Sequence, residues 1–132
     1  MPNRSIEIHD SILERISFCG SEAQVCFELA YIHQSEGLPG RDAGQVWTQT
    51  AVLRIGDATV SGVFSQLPAR LSDGSAVLGA NSLDNTIPVP LHHEGKFKLR
   101  LQSDESEVVT VSGIGARLEL LGEAKYLEEF HP

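Results

Sequence analysis

The stretch that decides the fold is residues 25–64, VCFELAYIHQSEGLPGRDAGQVWTQTAVLRIGDATVSGVF. Apolar and polar side chains alternate over residues 25–34 and again over residues 47–55, which is the pattern of strands that bury one face. The segment between them, residues 35–46, holds three glycines and one proline and is longer than a hairpin needs. A third run, residues 58–64, follows a tight turn. The stretch therefore predicts three strands of one sheet, with a long polar loop at its rim.

Shorter runs with the same alternation occupy the rest of the chain, separated by turn residues at steady intervals. In residues 96–101, Phe97, Leu99 and Leu101 alternate with three basic side chains. Residues 86–91 contain two prolines, which places them at a sheet edge because proline cannot donate a ladder hydrogen bond. The whole pattern predicts an all-β protein, an antiparallel β-sandwich or barrel of eight to ten short strands, with residues 1–132 as one domain.

The charge argues against two classes of partner. Lys and Arg number 10 against 18 Asp and Glu, which gives a formal net charge of -8. Binding to nucleic acid or to an anionic membrane surface needs a positive face, so neither partner is predicted. The first residues include no apolar leader, and no apolar run approaches the roughly 18 residues of a spanning helix. We therefore expect a cytoplasmic protein.

The two cysteines flank a turn predicted at residues 20–22. Folding about that turn would bring Cys19 opposite Cys26, with small errors of register allowed. A cross-strand disulfide there would need unusual geometry, and cytoplasmic cysteines are usually reduced. Two free thiols are expected.

The sequence also suggests a candidate binding rim. In a simple antiparallel meander, the strand starting near Ile12, the strand ending at Gln34 and the two strands after it would share one end of the sheet. That end would collect imidazoles and carboxylates, namely His9, Asp10, His33, Glu36, Asp42 and Asp73. Such groups can bind a divalent cation, although acidic loops are also commonly just solvated. Both interpretations stay open at this point.

No motif predicts catalysis. The chain has no phosphate loop, dinucleotide fingerprint, nucleophile elbow or paired CxxC. No catalytic residue is predicted, and the one cofactor that the sequence leaves open is a divalent cation.

The run His9-Asp10-Ser11-Ile12-Leu13 with Ile16, followed by Val25, Phe27 and Leu29, resembles the start of small uncharacterised bacterial β-domains. These domains begin with an HDS-type motif, and some resemble toxin-immunity proteins. The resemblance covers about the first thirty residues. It implies an all-β domain and a binding role, and it carries no catalytic residues.

These observations together predict a non-enzymatic binding module. Its partner would be a protein or a second copy of the chain, since sheet edges that are not fully closed are often covered by a twofold dimer. The alternative is a divalent-metal-binding or metal-dependent module that uses the acidic rim.

Overall fold

The structure is a computed structural model that describes residues 2–132, and within them it contains nine antiparallel strands and no helix. The strands are β1 (Asn3–Cys19), β2 (Glu22–Ser35), β3 (Gly44–Ile55), β4 (Thr59–Ser61), β5 (Ala69–Leu78), β6 (Asn81–Asp84), β7 (Thr86–Val89), β8 (His92–Ser103) and β9 (Val108–Phe130). The predicted fold class is confirmed. Not all strands are short, since β1 has 17 residues and β9 has 23. None of the described residues forms a helix that is long and apolar enough to cross a membrane.

Six strands close into a barrel. Each pairs with the next in the order β1, β2, β3, β9, β8, β5, and β5 pairs back to β1 through Ile12↔Arg70 and Leu13↔Ala69. The inward side chains form one apolar core, whose largest fully buried members include Phe27, Leu53 and Leu99. Because side chains already fill barrels of eight strands, a six-stranded barrel leaves no room for an internal ligand. The surfaces that solvent can reach are the ends, the edges and the outer face of the sheet.

Beyond the barrel the sheet is open. The first half of β1 pairs with β7, and the far half of β9 pairs with β3, so that β7, β1, β2, β3 and β9 form a five-stranded distal sheet. Its two edges differ. The β7 edge carries Pro88, as the sequence predicted, whereas residues 119–130 of β9 have β3 as their single strand partner within the described chain.

A bulge in β1 joins the barrel to the distal sheet. The sequence suggested two segments interrupted at His9-Asp10-Ser11, but β1 is one strand whose register shifts between Glu7 and Ile12. Asp10 has φ 76, and the Ser11 hydroxyl donates to the Glu7 carbonyl (2.7 Å) and accepts the amide of Tyr31 (3.0 Å). Between Glu7 and Ile12, β1 has three more residues than the facing part of β2, and this bulge redirects the strand, so one edge of β1 pairs first with β7 and then with β5.

A second bulge corrects the predicted core face of β2. The register with β3 shifts between Phe27 and Ala30, so the buried inward series continues with Ala30 and Ile32. Alternation over residues 25–34 predicts that Tyr31 and His33 share a face with Phe27, and that placement is wrong. Both side chains lie on the outer face of the distal sheet instead.

The cysteines are not opposite each other. The hairpin turn consists of two residues, Gly20 and Ser21, so Cys19 pairs with Glu22 and Cys26 pairs with Arg15. Both are free, Cys19 exposed and Cys26 buried. The expected thiols are present, but the expected register was wrong.

Asn85 fixes the bulge against two neighbouring strands. Its amide donates to the Gly74 carbonyl (2.9 Å) and its carbonyl accepts the Ile8 amide (2.9 Å). Its side-chain oxygen accepts the His9 amide (2.7 Å), and its side-chain nitrogen donates to the Glu7 carboxylate (3.3 Å). With φ 59, Asn85 also adopts a conformation that asparagine tolerates better than most residues. Every polar group of this residue therefore holds the junction together.

We expect Asn85→Ala to lower the free energy of unfolding by about 2–4 kcal/mol, because it removes two hydrogen bonds and strains the left-handed backbone. Asn85→Gly should lose less, since glycine relieves the strain. Denaturant titration measures both, with exposed Asn81→Ala as the matched control, which should change stability by less than about 0.5 kcal/mol. Equal, small effects at both asparagines would contradict the role assigned to Asn85.

Candidate functional site

The structure brings three of the six predicted rim residues together around a residue that the sequence did not single out, Glu7. His9 Nδ1 lies 3.2 Å from Asp10 Oδ2 and 4.0 Å from Glu7 Oε1. On the other side, His33 Nε2 is in ion-pair contact with Glu7 Oε2. His9, Asp10 and His33 are thus linked through one carboxylate at the β1 bulge.

His33 is buried from the outside of the sheet. Its ring packs edge-on against Phe130, with centroids 4.8 Å apart, and tilts against Tyr31 at 5.3 Å. The contact with Glu7 is close but does not have the geometry of a hydrogen bond, so Nε2 has no hydrogen-bond partner within residues 2–132. This packing ties β1, β2 and β9 together, which is a structural role for His33.

The other three predicted residues lie elsewhere. Glu36 and Asp42 belong to the loop beside Asn3, and Asp10 is seven residues further along β1, roughly 20 Å away at strand spacing. The Asp42 carboxylate accepts the Leu38 amide (2.6 Å), so it stabilises that loop. Asp73 lies 3.7 Å from the Arg100 guanidinium on β8. Within residues 2–132, the contacts of His9, Asp10 and His33 do not include Glu36, Asp42 or Asp73, and a binding role for the six residues stays a prediction.

The described part of the chain contains no group of three or more His, Cys, Asp or Glu side chains arranged to hold a metal ion. The geometry of the six rim residues therefore adds nothing to the divalent-cation interpretation.

A different surface has the features of a binding site. One end of the barrel opens into a small apolar pocket of about 180 Å³, here called the mouth. β1 supplies one wall and β4, β9 and the segment after β4 supply the others, the lining residues being Leu13, Ile16, Phe18, Val60, Gly62, Val63, Phe64, Leu67 and Val109.

Large apolar side chains around the mouth remain in solvent. Val63 is 77% exposed, Phe18 52% and Leu67 46%, and Val60 and Val108 are exposed beside them. Four of the ten exposed large apolar residues in the described chain therefore line one pocket, and Val108 precedes the lining residue Val109. Contiguous apolar surface of this kind usually marks an interaction site, whereas scattered exposed residues do not.

An acidic hairpin tip borders the mouth. The turn between β8 and β9 carries Asp104, Glu105 and Glu107, and none of the three has an ion-pair partner within residues 2–132. The Ser103 hydroxyl accepts the amides of Glu105 and Glu107 (3.2 and 3.3 Å), which orders the turn. The tip is thus a fixed negative surface.

The acidic tip is also hydrogen-bonded to the segment after β4, which forms one wall of the mouth. The Glu107 carboxylate accepts both the amide and the hydroxyl of Ser65 (3.0 Å each), and the Asp104 amide donates to the Arg70 carbonyl (3.0 Å). The apolar and acidic parts of this surface therefore keep a defined relative position.

No protein-family model, curated protein or solved structure matches the chain.

The mouth could not be recognised from the sequence, although two of its signals were visible. The alternation of residues 58–64 continues to Val63 and Phe64, and residues 103–106 have the composition of a turn. What was hidden is that the barrel brings these segments to one end. Glu7 was hidden for a similar reason, since a single glutamate on the polar side of a strand carries no local signal.

The pKa of Tyr31, whose ring tilts against His33, offers a test of side-chain packing on the distal sheet. Burial is the largest cause that raises the pKa of Tyr31 to about 12, and the Glu128 carboxylate, which accepts the Tyr31 hydroxyl at 3.2 Å, is the next. A folded pKa above the unfolded value of about 10 means that neutral Tyr31 stabilises the fold below that pH and loses this effect as pH rises toward 12.

We therefore expect the free energy of unfolding to fall between pH 10 and 12, and Tyr31→Phe to make this fall shallower. Ultraviolet absorbance of tyrosinate reads the same group directly. In this titration, Tyr126→Phe should retain the tyrosine ionisation step near pH 12, and Tyr31→Phe should lose that step. Loss of the late step in Tyr126→Phe instead would show that Tyr31 is not the shielded phenol.

Proposed function

We propose that the protein is a non-enzymatic binding module that captures a segment of a partner protein at the mouth. The observation that carries this proposal is the ring of exposed apolar side chains, Phe18, Val63 and Leu67 above all, around an ordered pocket of about 180 Å³. Leaving these groups in water is unfavourable by about 25 cal/mol per Å² of apolar surface, so a partner that covers them gains that free energy.

The shape of the site limits what can bind there. The barrel below the pocket is filled with core side chains, so the mouth accepts a single bulky side chain rather than an elongated ligand. A pocket that receives one aromatic or aliphatic anchor, surrounded by weaker contacts, is the usual arrangement of a protein-binding hot spot.

The acidic side chains beside the pocket indicate which residues of the partner would flank its apolar anchor. Asp104, Glu105 and Glu107 lie on the hairpin tip that borders the mouth, and Arg70 is the one basic side chain that lines the adjoining groove with them. A segment with Lys or Arg next to its apolar anchor would be complementary to this surface. The proposed partner is therefore a protein segment with a large apolar residue flanked by basic residues.

Selection of displayed random peptides on the purified protein tests the proposal. We expect the selected peptides to share a large apolar residue with Lys or Arg within two positions. Val63→Asp should raise their Kd by about tenfold or more, because it places a charge in the anchor contact. Glu105→Lys should raise the Kd less, through lost attraction.

Leu127→Asp is the matched control. Leu127 is 52% exposed and lies on the distal sheet, so the same substitution there should leave peptide binding unchanged. Peptides that bind Val63→Asp as tightly as the wild-type protein, peptides with acidic flanks, or a selection that yields no binder would each contradict the proposal.

A further inference from the structure

The open edge of β9 carries a sequence that is complementary to itself. Residues 121–127 read LGEAKYL and all seven are exposed. When two antiparallel copies of this segment are aligned on Ala124, Glu123 of each lies opposite Lys125 of the other and Leu121 lies opposite Leu127. Gly122 then lies opposite Tyr126, a pairing in which the aromatic ring covers the bare glycine backbone.

The paired residues of the strand fall on two faces. Lys125 pairs with Thr48 of β3 and Leu121 with Thr50, so both side chains lie on the outer face. Tyr126 pairs with Trp47 on the inner face, and Ala124 lines a shallow pocket with that tryptophan. Leu121 and Lys125 therefore share one face, and Ala124 and Tyr126 share the other.

The charges also select one register. A shift of the twofold axis by one residue pair places either Glu123 opposite Glu123 or Lys125 opposite Lys125, and like charges directly opposite each other are unfavourable. Edge strands are commonly protected from unwanted pairing by charges and bulges, and this segment has both, since its register with β3 shifts on either side of Lys125. The charges disfavour most strands but are complementary to those of a second copy aligned at Ala124.

We propose that β9 is a self-association edge, at which two copies of this chain pair antiparallel through residues 121–127 with the twofold axis at Ala124. Pairing joins two five-stranded distal sheets into one continuous sheet and leaves both mouths free. Seven-residue strands bury less surface than a standard interface, so the dimer is weak, with a Kd of about 10–100 µM. This proposal does not depend on the function proposed for the mouth.

Cross-linking at the axis tests the alignment. On a twofold axis, Ala124 of one copy faces Ala124 of the other with Cα atoms about 4.5–5.5 Å apart, within the range of a disulfide. In a Cys19→Ser background, Ala124→Cys treated with oxidised glutathione should form a covalent dimer readily. Ser82→Cys in the same background, on the exposed short strand β6, is the control and should form little.

Sedimentation at protein concentrations that span the expected dimer Kd of about 10–100 µM tests the roles of Glu123 and Lys125. Glu123→Lys and Lys125→Glu should each raise the dimer Kd by at least about tenfold, because every dimer contains the altered pair twice. The double variant Glu123→Lys/Lys125→Glu restores opposite charges and should restore the dimer.

The proposal is overturned if the wild-type protein stays monomeric throughout that range, or if Ala124→Cys cross-links no faster than Ser82→Cys. It is also overturned if the double variant fails to recover. Dimerisation that is abolished by Val63→Asp but unaffected by the charge swaps would assign the contact between copies to the mouth instead.

Discussion

The fold depends on the bulge at residues 8–11 of β1. One edge of this strand must pair with β7 over its first half and with β5 over its second half, and a regular strand cannot turn from one partner to the other. The left-handed backbone of Asp10, the Ser11 hydroxyl and all four polar groups of Asn85 hold the turn. Barrel closure at Leu13↔Ala69 follows immediately, so the closed and open parts of the sheet are both set by this junction.

Closure on six strands decides where function can reside. The interior is occupied by side chains of the core, so the barrel is a support rather than a container. The surfaces left over are its apolar end and the unpaired edge of the distal sheet. They differ in chemistry, since one offers a pocket and an acidic border and the other offers backbone groups with a self-complementary row of side chains. Function on such a fold belongs to its margins, as it does on many small β-barrels.

Local alternation was enough to predict the fold class and much of the core. Leu53, Ile55, Phe97, Leu99 and Leu101 are buried as the pattern indicated, and the proline-bearing strand is an edge. The errors all come from bulges and turns. One extra residue reverses the face of every residue after it, which is why Tyr31 and His33 do not share the face of Phe27 as alternation predicts.

The candidate site was less predictable for the same reason. The six rim residues were placed by assuming a meander of separate short strands, but β1 passes through His9 and Asp10 without ending. Glu7 and Asn85 gather their partners from β2, β5 and the β6–β7 turn, and no local pattern reports contacts between residues more than seventy positions apart. The mouth is hidden in the same way, since its walls come from three separate stretches of chain.

The length of β9 has a consequence for motion. Residues 110–112 of β9 pair with both β8 and β4, and residues 116–117 pair with both β8 and β3. Beyond Leu118, whose amide donates to the Leu91 carbonyl (3.0 Å), β3 is the single strand partner of β9 in the described chain. Opening of this far half breaks one ladder and exposes little core, whereas opening of the near half disrupts the barrel. Amide hydrogen exchange should therefore be fast near Phe130 and slow near Val111 within a single strand. A partner that pairs with the free edge would slow amide hydrogen exchange in the far half of β9. Exchange in the near half would stay the same, so the difference between the two halves would report whether the edge is occupied.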